Sequence, residues 1–416
     1  LRSRADQSTV RARWYFAEGN VADYRQTLSF FNPSGAQVDA KVTLIQSAED
    51  PAIRIVSIPA GARADLRLDD VVPGATSLPA IVESSGPILA ERNMALSSDM
   101  DGGPGIDHLS RIWYFAEGST EGDNRTYLVL FNPQASAVSA MITYMRSDGT
   151  QLGQSVQIGA RDRLVVSVND LEQLQSAHFG MRVIAAQPIA VERTMRFGQS
   201  QTGLHTGRGI ATLSRRWLFA EGTTEGGFSM RLLVLNPNDQ AANVQATFMG
   251  PSGTSGLRRY AIPPRSQLTI NANEVVPALG VSAEVTADRP VAVERALTFN
   301  KGAAGAVSAG AMAPGYRWAF VDGRTNDASY YLCVSNPNAA PALVTVDFRF
   351  ADGSTGEQQF RVPAEARYTL AVHQIYPNKD ALTAVVRGTQ PIVAERSIYP
   401  SGGNSGGATT LGIPLP

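Results

Sequence analysis

Apolar and polar residues alternate along many short segments of this chain, as in Val244-Gln245-Ala246-Thr247-Phe248 and Val344-Thr345-Val346-Asp347-Phe348. A period of two places successive side chains on opposite faces of a β-strand. Gly, Pro and Asn stand at the breaks between these segments, where turns are expected. The pattern therefore predicts an all-β chain with about six or seven short strands per 100 residues.

Turn residues refine this prediction. The Asp-Gly pairs Asp148-Gly149 and Asp352-Gly353 predict hairpin turns, because glycine readily adopts the positive φ angles of a tight turn. No long helical pattern is present in the sequence, and we expect only short helical turns near residues 171–174 and 271–274.

A three-part pattern occurs four times along the chain. The first part, W-x-F-x-x-G, uses all four tryptophans at intervals of roughly 100 residues and begins at Trp14, Trp113, Trp217 and Trp318. The second part is Asn-Pro, at Asn32-Pro33, Asn132-Pro133, Asn236-Pro237 and Asn336-Pro337. The third part is Glu-Arg, at Glu91-Arg92, Glu192-Arg193, Glu294-Arg295 and Glu395-Arg396. Three parts in one order, four times, indicate an internal repeat.

Each repeat is long enough to enclose its own core, and its strand pattern favours an immunoglobulin-like antiparallel β-sandwich. We therefore predict four tandem sandwich domains at residues 1–98, 99–201, 202–302 and 303–400, followed by a C-terminal tail at 401–416. A propeller with two blades per repeat is the alternative. Blade repeats are about 40 to 50 residues long, however, and the two halves of each repeat here differ.

The aromatic residues of the first motif are predicted to form the domain cores: Trp14, Trp113, Trp217, Trp318, Phe16, Phe115, Phe219 and Phe320. Alternation places the acid of each motif on the same strand face as these rings. It also places each Glu-Arg arginine in an apolar row, as in Ile189-x-Val191-x-Arg193, with the glutamate facing the other way. An unpaired buried charge costs several kcal/mol, so each arginine needs an acidic partner.

We therefore predict four core ion pairs, one in each repeat: Glu18 with Arg92, Glu117 with Arg193, Glu221 with Arg295, and Asp322 with Arg396. A catalytic or ligand-binding role for these residues is the alternative. The structural role is favoured, because four identical active sites in one chain would be unusual.

Charge and composition exclude several classes of function. The formal net charge is −1, so no excess of basic residues is present to neutralise a nucleic acid. No apolar run is long enough to span a membrane. Cys333 is the one cysteine and lies in an apolar run, which indicates a buried small residue.

Catalytic and metal-binding motifs are absent from the sequence, and no cofactor is expected. The four histidines, His108, His178, His205 and His373, occupy different positions of the repeat and are predicted to lie on the surface or in linkers. The segment from Asp99 to Gly103 resembles the start of a calcium loop but lacks the remaining ligands, so a solvated linker is favoured there.

The W-Y-F-A-E-G opening, with Asn-Pro and Val-Glu-Arg downstream, resembles an uncharacterised family of tandem β-sandwich repeats in secreted and cell-surface bacterial proteins. The resemblance covers the whole chain and is loosest in the fourth repeat, where Val321-Asp322 replaces Ala-Glu. It implies an extracellular or cell-surface location and a stalk, layer or fibre role. It supplies no catalytic residues.

The tail contains Thr409-Thr410-Leu411-Gly412-Ile413, which is similar to the linker segment that precedes Trp217. Because no fifth repeat follows, we expect Leu411 and Ile413 to meet the first domain of a neighbouring chain near Thr9 and Val10. The predicted function is accordingly a non-enzymatic extracellular structural protein whose copies assemble head-to-tail into a fibre or layer. A monomeric stalk that adheres to a surface or binds carbohydrate is the alternative, with a cell-surface polysaccharide as partner and Tyr15 and Tyr114 as an aromatic platform.

Overall fold

The structure, a computed structural model, describes residues 11–47, 50–97, 99–401 and 406–416. Within these ranges antiparallel sheets form four consecutive sandwich domains, which confirms the predicted all-β class.

The strands of the first two domains follow one order. The first domain contains β1 (Arg11–Phe16), β2 (Arg25–Phe31), β3 (Val38–Ile45), β4 (Pro51–Ile58), β5 (Arg63–Arg67), the single-turn helix α1 (Leu68–Val71), β6 (Ala80–Ala95) and β7 (Met100–Pro104). The second contains β8 (Ser110–Phe115), β9 (Arg125–Asn132), β10 (Val138–Arg146), β11 (Gln151–Ile158), β12 (Asp162–Ser167), β13 (Phe179–Phe197) and β14 (Gly203–Arg208).

The third and fourth domains repeat this order. The third contains β15 (Ser214–Phe219), β16 (Ser229–Asn236), β17 (Ala242–Gly250), β18 (Gly253–Ile262), β19 (Ser266–Asn271), β20 (Ser282–Phe299) and β21 (Ala304–Ala309). The fourth contains β22 (Gly315–Phe320), β23 (Ala328–Asn336), β24 (Ala342–Phe350), β25 (Thr355–Val362), β26 (Ala366–Ala371), the single-turn helix α2 (Val372–Ile375), β27 (Leu382–Pro400), β28 (Ala408–Leu411) and β29 (Ile413–Pro414).

The local turns agree with the sequence. Gly149 and Gly353 have φ angles of 83° and 80° in the hairpins between β10 and β11 and between β24 and β25. The expected helical turns are short 3-10 segments at Glu172–Leu174 and Ala272–Glu274. Further 3-10 segments lie at Val168–Asp170, Gln199–Gln201 and Asn300–Gly302.

Each domain has one long strand that belongs to both of its sheets. In the first domain the sheet orders are β4-β3-β6-β1 and β5-β2-β6-β7, and the long strand β6 pairs with β3 through residues 80–84 and with β2 through residues 89–95. Pro87 lies between these stretches, and the equivalent residues of β13, β20 and β27 are Pro188, Pro290 and Pro391. Proline has no N–H to give to a sheet, so it suits the point where a strand passes from one sheet to the other.

The four anchor tryptophans support this bend. Each is no more than 2% exposed, and each indole N–H donates to the carbonyl of the residue after the bend proline. For Trp217 and Val291 the distance is 2.9 Å. The phenylalanines Phe16, Phe115, Phe219 and Phe320 are buried beside them. Each repeat therefore has its own core, centred on its tryptophan.

The domain boundaries lie later than the sequence suggested. Strands β7, β14 and β21 follow the boundaries predicted after residues 98, 201 and 302, yet each pairs with the long strand of the preceding domain. The tail does the same, because β28 pairs with β27. These segments are the last strands of their own domains, since each satisfies an open edge of the sheet it follows. The tail therefore completes the fourth domain of its own chain.

Candidate functional site at the domain junctions

The Glu-Arg dipeptides join each domain to the next. Neighbouring residues of a strand point to opposite sides, so the arginine and the glutamate of one dipeptide face different domains. Arg92 contacts Glu192 at 2.9 Å, and Arg193 contacts Glu294 at 2.8 Å. Arg295 contacts Glu395 of the fourth domain at 2.8 Å. Each arginine thus pairs with the glutamate of the domain that follows it.

The fourth domain closes this series onto the first. Arg396 lies 2.8 Å from Glu91, so the four pairs form a cycle within one chain. The last strands of the domains form a second cycle, in which β7 contacts β14, β14 contacts β21, β21 contacts β28, and β28 contacts β7. A head-to-tail interface whose rotation closes gives a ring and not an open filament. The head-to-tail contact that we expected between chains is thus made inside one chain.

Apolar packing shows the same cyclic order. On the first strand of each domain, alternate residues enter the core of the following domain. Tyr15 and Ala17 pack into the second core, while Ala319 and Val321 of the fourth domain pack into the first. Both faces of the second half of this strand, residues 14–16 in the first domain, are therefore buried. Tyr15 is thus not part of the outward aromatic platform that the sequence suggested. Tyr114 is half-buried against the third core.

Backbone amides hold the glutamates of these pairs. The N–H of Glu18 donates to Glu192 at 2.8 Å, and the N–H of Glu221 donates to Glu395 at 2.6 Å. The first-motif segments of the other two domains donate in the same way to Glu294 and Glu91. A buried charge pair is stable only when its remaining polar atoms also find partners. The first motif supplies these partners through its backbone.

The acids of the first motif are paired differently from the prediction. The Glu18 carboxylate contacts Arg163 of the second domain at 3.1 Å. Arg92 donates to the backbone carbonyl of Glu18 and not to its carboxylate. Glu221 lies 3.5 Å from Arg367 of the fourth domain. The Arg295 guanidinium donates to the backbone carbonyl of Glu221. The expected pairs of Glu18 with Arg92 and of Glu221 with Arg295 are therefore wrong.

The other two predicted pairs are present in part. Glu117 lies 3.2 Å from Arg193, as expected. Asp322 lies 3.9 Å from Arg396 but is closer, at 2.9 Å, to Arg63 of the first domain. Arg63 and Arg396 together hold the pKa of the Asp322 carboxyl at about 2, against the effect of burial.

One substitution explains why the pairing differs between junctions. Arg63, Arg163 and Arg367 occupy equivalent positions on the strand next to the Asn-Pro strand, and each reaches the acid of the preceding domain. The third domain has Gln267 at this position. Because that arginine is missing, Glu117 contacts Arg193 of its own domain and the ring of His205, which is 3.5 Å away. His205 is thus buried at a junction, where burial and Arg193 lower its pKa, and it is not a surface residue.

The sequence contained a signal for these missed residues. Arg63, Arg163, Gln267 and Arg367 follow the asparagine of each Asn-Pro at one constant spacing. Repetition alone marks them as equivalent, but it does not reveal that they point into the preceding domain.

Two buried aspartates lie where the four last strands meet. The Asp99 carboxylate accepts from the N–H groups of Met100 and Leu204 at 2.8 Å and of Gly407 at 3.0 Å. Burial raises the pKa of Asp99 to about 7 and that of Asp101 to about 8. A ring of N–H donors suits an anion and not a cation, and among the described residues no group of three or more His, Cys, Asp or Glu could hold a metal ion.

Cys333 and the predicted interface residues also have defined positions. Cys333 is buried beside Glu221, and burial raises the pKa of its thiol well above the usual value. Leu411 packs against the fourth core, while Ile413 packs into the first core of the same chain. Thr9 and Val10 lie outside the described residues.

Among the described residues, no helix is long and apolar enough to cross a membrane.

No protein-family model and no curated protein matches this chain. The solved structure of Thermotoga maritima 1070 matches with 17% identity and a TM-score of 0.23, over 24% of this chain and 93% of that one. The Anabaena sensory rhodopsin transducer matches with 23% identity and a TM-score of 0.18, over 20% and 91%.

A third solved structure aligns along almost the whole chain. It is a tetra-tandem repeat in the extending region of a large adhesion protein, with 12% identity and a TM-score of 0.13, over 99% of this chain and 97% of that one. Likenesses at these levels carry no information on activity or partners.

Proposed function

We propose that this chain is a non-enzymatic extracellular structural or adhesion unit in which four sandwich domains close into one ring. The observation that carries the proposal is the location of the repeated charged residues. Their glutamates and arginines are buried at the junctions and paired between domains. A catalytic role would need these groups to reach a substrate, whereas their burial suits the joining of domains.

Ring closure supports one of the two structural alternatives. A fibre built through the head-to-tail contact would require the junction between the fourth and first domains to open, which would expose the Glu91 and Arg396 pair and the apolar side chain of Ile413. Exposing the apolar side chains of this junction to water is costly, because their burial stabilises the closed ring. A monomeric ring that presents its outer surface to a partner is therefore favoured over a fibre.

The extracellular location is supported by the resemblance of the W-Y-F-A-E-G motif to secreted and cell-surface repeats. It is tested by labelling intact cells that produce the protein with an amine-reactive biotin reagent that does not cross membranes. The exposed Lys41 and Lys301 are expected to be labelled as fully as in a lysate. Labelling that requires lysis of the cells would contradict the proposal.

A further inference from the structure

A pocket of about 880 Å³ opens at the junction of the third and fourth domains. Its volume lies within the range of roughly 300 to 1,000 Å³ that is typical of small-molecule sites. Phe228 and Phe299 of the third domain form one half of an aromatic wall, and Tyr331 and Tyr399 of the fourth form the other. The wall is continuous, since the ring centres of Phe228 and Phe299 are 5.0 Å apart and those of Phe299 and Tyr399 are 5.4 Å apart.

This aromatic wall is specific to one of the four junctions. At each of the other junctions, the four equivalent positions carry different residues. In the order Phe228, Phe299, Tyr331, Tyr399, the first junction has Tyr24, Leu96, Tyr127 and Arg196, and the second has Asn124, Phe197, Arg231 and Thr298. The closing junction has Ala328, Pro400, Thr27 and Ala95. At the first junction the Arg196 guanidinium lies over the Tyr24 ring, 5.7 Å from its centre. Ring closure therefore does not require four aromatic residues at this place.

The rest of the pocket is polar but has little free charge. Arg367 lines it, but the guanidinium donates to the carbonyl of Gly222 at 2.8 Å and lies 3.5 Å from Glu221. Glu225 is exposed, and Ser329 stands on the fourth-domain side. Carboxylate, guanidinium and hydroxyl groups thus surround the aromatic wall without the surplus of positive charge that an anionic ligand needs.

We propose that this pocket binds a neutral saccharide. The C–H face of a sugar ring is apolar and carries slightly positive hydrogens, which suit the negative face of an aromatic ring. The hydroxyls at the edge of the sugar both donate and accept, which suits the mixed polar groups around the wall. The choice of a saccharide rests on the proposed adhesion role, whereas the pocket itself does not depend on it.

The test uses the full chain and calorimetric titration with a panel of neutral trisaccharides derived from glucans, mannans and chitin. At least one is expected to bind, and Tyr331→Ser is expected to weaken that binding at least tenfold. Tyr127→Ser removes the equivalent ring at the first junction and is expected to leave the affinity unchanged. Tyr399→Ser, with Arg196→Ser as its matched control, gives a second comparison if Tyr331→Ser lowers the melting temperature.

The proposal is overturned if no trisaccharide binds, or if each variant and its matched control weaken binding equally. A further contradicting result is that the wild-type chain binds tetramethylammonium but no saccharide, and that Tyr331→Ser weakens this binding. The aromatic wall would then bind a cation. These outcomes leave the surface-labelling result untouched. The saccharide site and the extracellular role can therefore fail separately.

Discussion

Deletion of residues 406–416 is expected to unfold the edge of the fourth domain and to open the ring. The deletion removes β28 and β29, which pair with β27 and β22. It also removes Ile413 from the first core and the Gly407 amide from Asp99. The fourth domain loses strands from both of its sheets, and its contact with the first domain loses an apolar anchor.

Hydrogen exchange measures this loss directly. Amides of β22 and β27 are expected to lose protection by orders of magnitude in the truncated chain, while those of β9 and β16 keep it. Deletion of residues 415–416 alone serves as the control, because it leaves β28 and β29 in place. Unchanged protection of β22 and β27 in the longer truncation would mean that the tail is not part of the fourth domain.

Substitution of Arg295 by alanine is expected to lower the free energy of unfolding by about 3 to 5 kcal/mol. The Arg295 side chain is fully buried, and it contacts Glu395, the carbonyl of Glu221 and the hydroxyl of Ser308. Its removal leaves the Glu395 carboxylate buried without its counter-charge, which is the costly part of the change. Urea unfolding monitored by tryptophan fluorescence measures the loss.

Arg216→Ala in the same domain is the matched control. Arg216 pairs with Glu284 at 2.6 Å, but the side chains are 41% and 21% exposed, so its loss is expected to cost less than about 1 kcal/mol. Replacing both Arg295 and Glu395 by methionine is expected to recover part of the stability, since no buried charge is then left alone, while the N–H and carbonyl of Glu221 lose these partners. A loss for Arg295→Ala that is no larger than the loss for Arg216→Ala would show that the junction pair contributes little.

The fold class could be predicted because its signals are local. Alternating apolar residues, Asp-Gly turns and the repeated tryptophans all act over a few residues, and the structure has strands and hairpins at those places. The position of Arg193 in an apolar row also followed from alternation, and Arg193 is fully buried.

The identity of the charge partners could not be predicted from the same pattern. Alternation states which face of a strand a residue occupies but not which domain covers that face. The sequence therefore paired Glu18 with Arg92 of its own repeat, whereas the junction places it against Arg163 of the next domain. The third domain has Gln267 where the other domains have arginine, and this changes the partner of Glu117 in the second domain. The sequence of a single repeat does not show such an effect.

The sequence also assigned the tail to a neighbouring chain, for a related reason. Leu411 and Ile413 have the spacing of a linker, so the sequence suggested that a following domain was needed to cover them. In the structure the first domain of the same chain covers Ile413. Contacts between the two ends of a chain are the least local of all, and no pattern of neighbouring residues predicts them.

Small-angle X-ray scattering of the purified chain tests ring closure most directly. A compact arrangement of 416 residues is expected to have a radius of gyration of about 22 Å. Four domains in a straight row, each about 30 Å across, would give about 36 Å instead. A value near the compact limit that does not change with protein concentration is the result we predict. A value near that of the extended row would contradict the pairing of Arg396 with Glu91 and with it the ring.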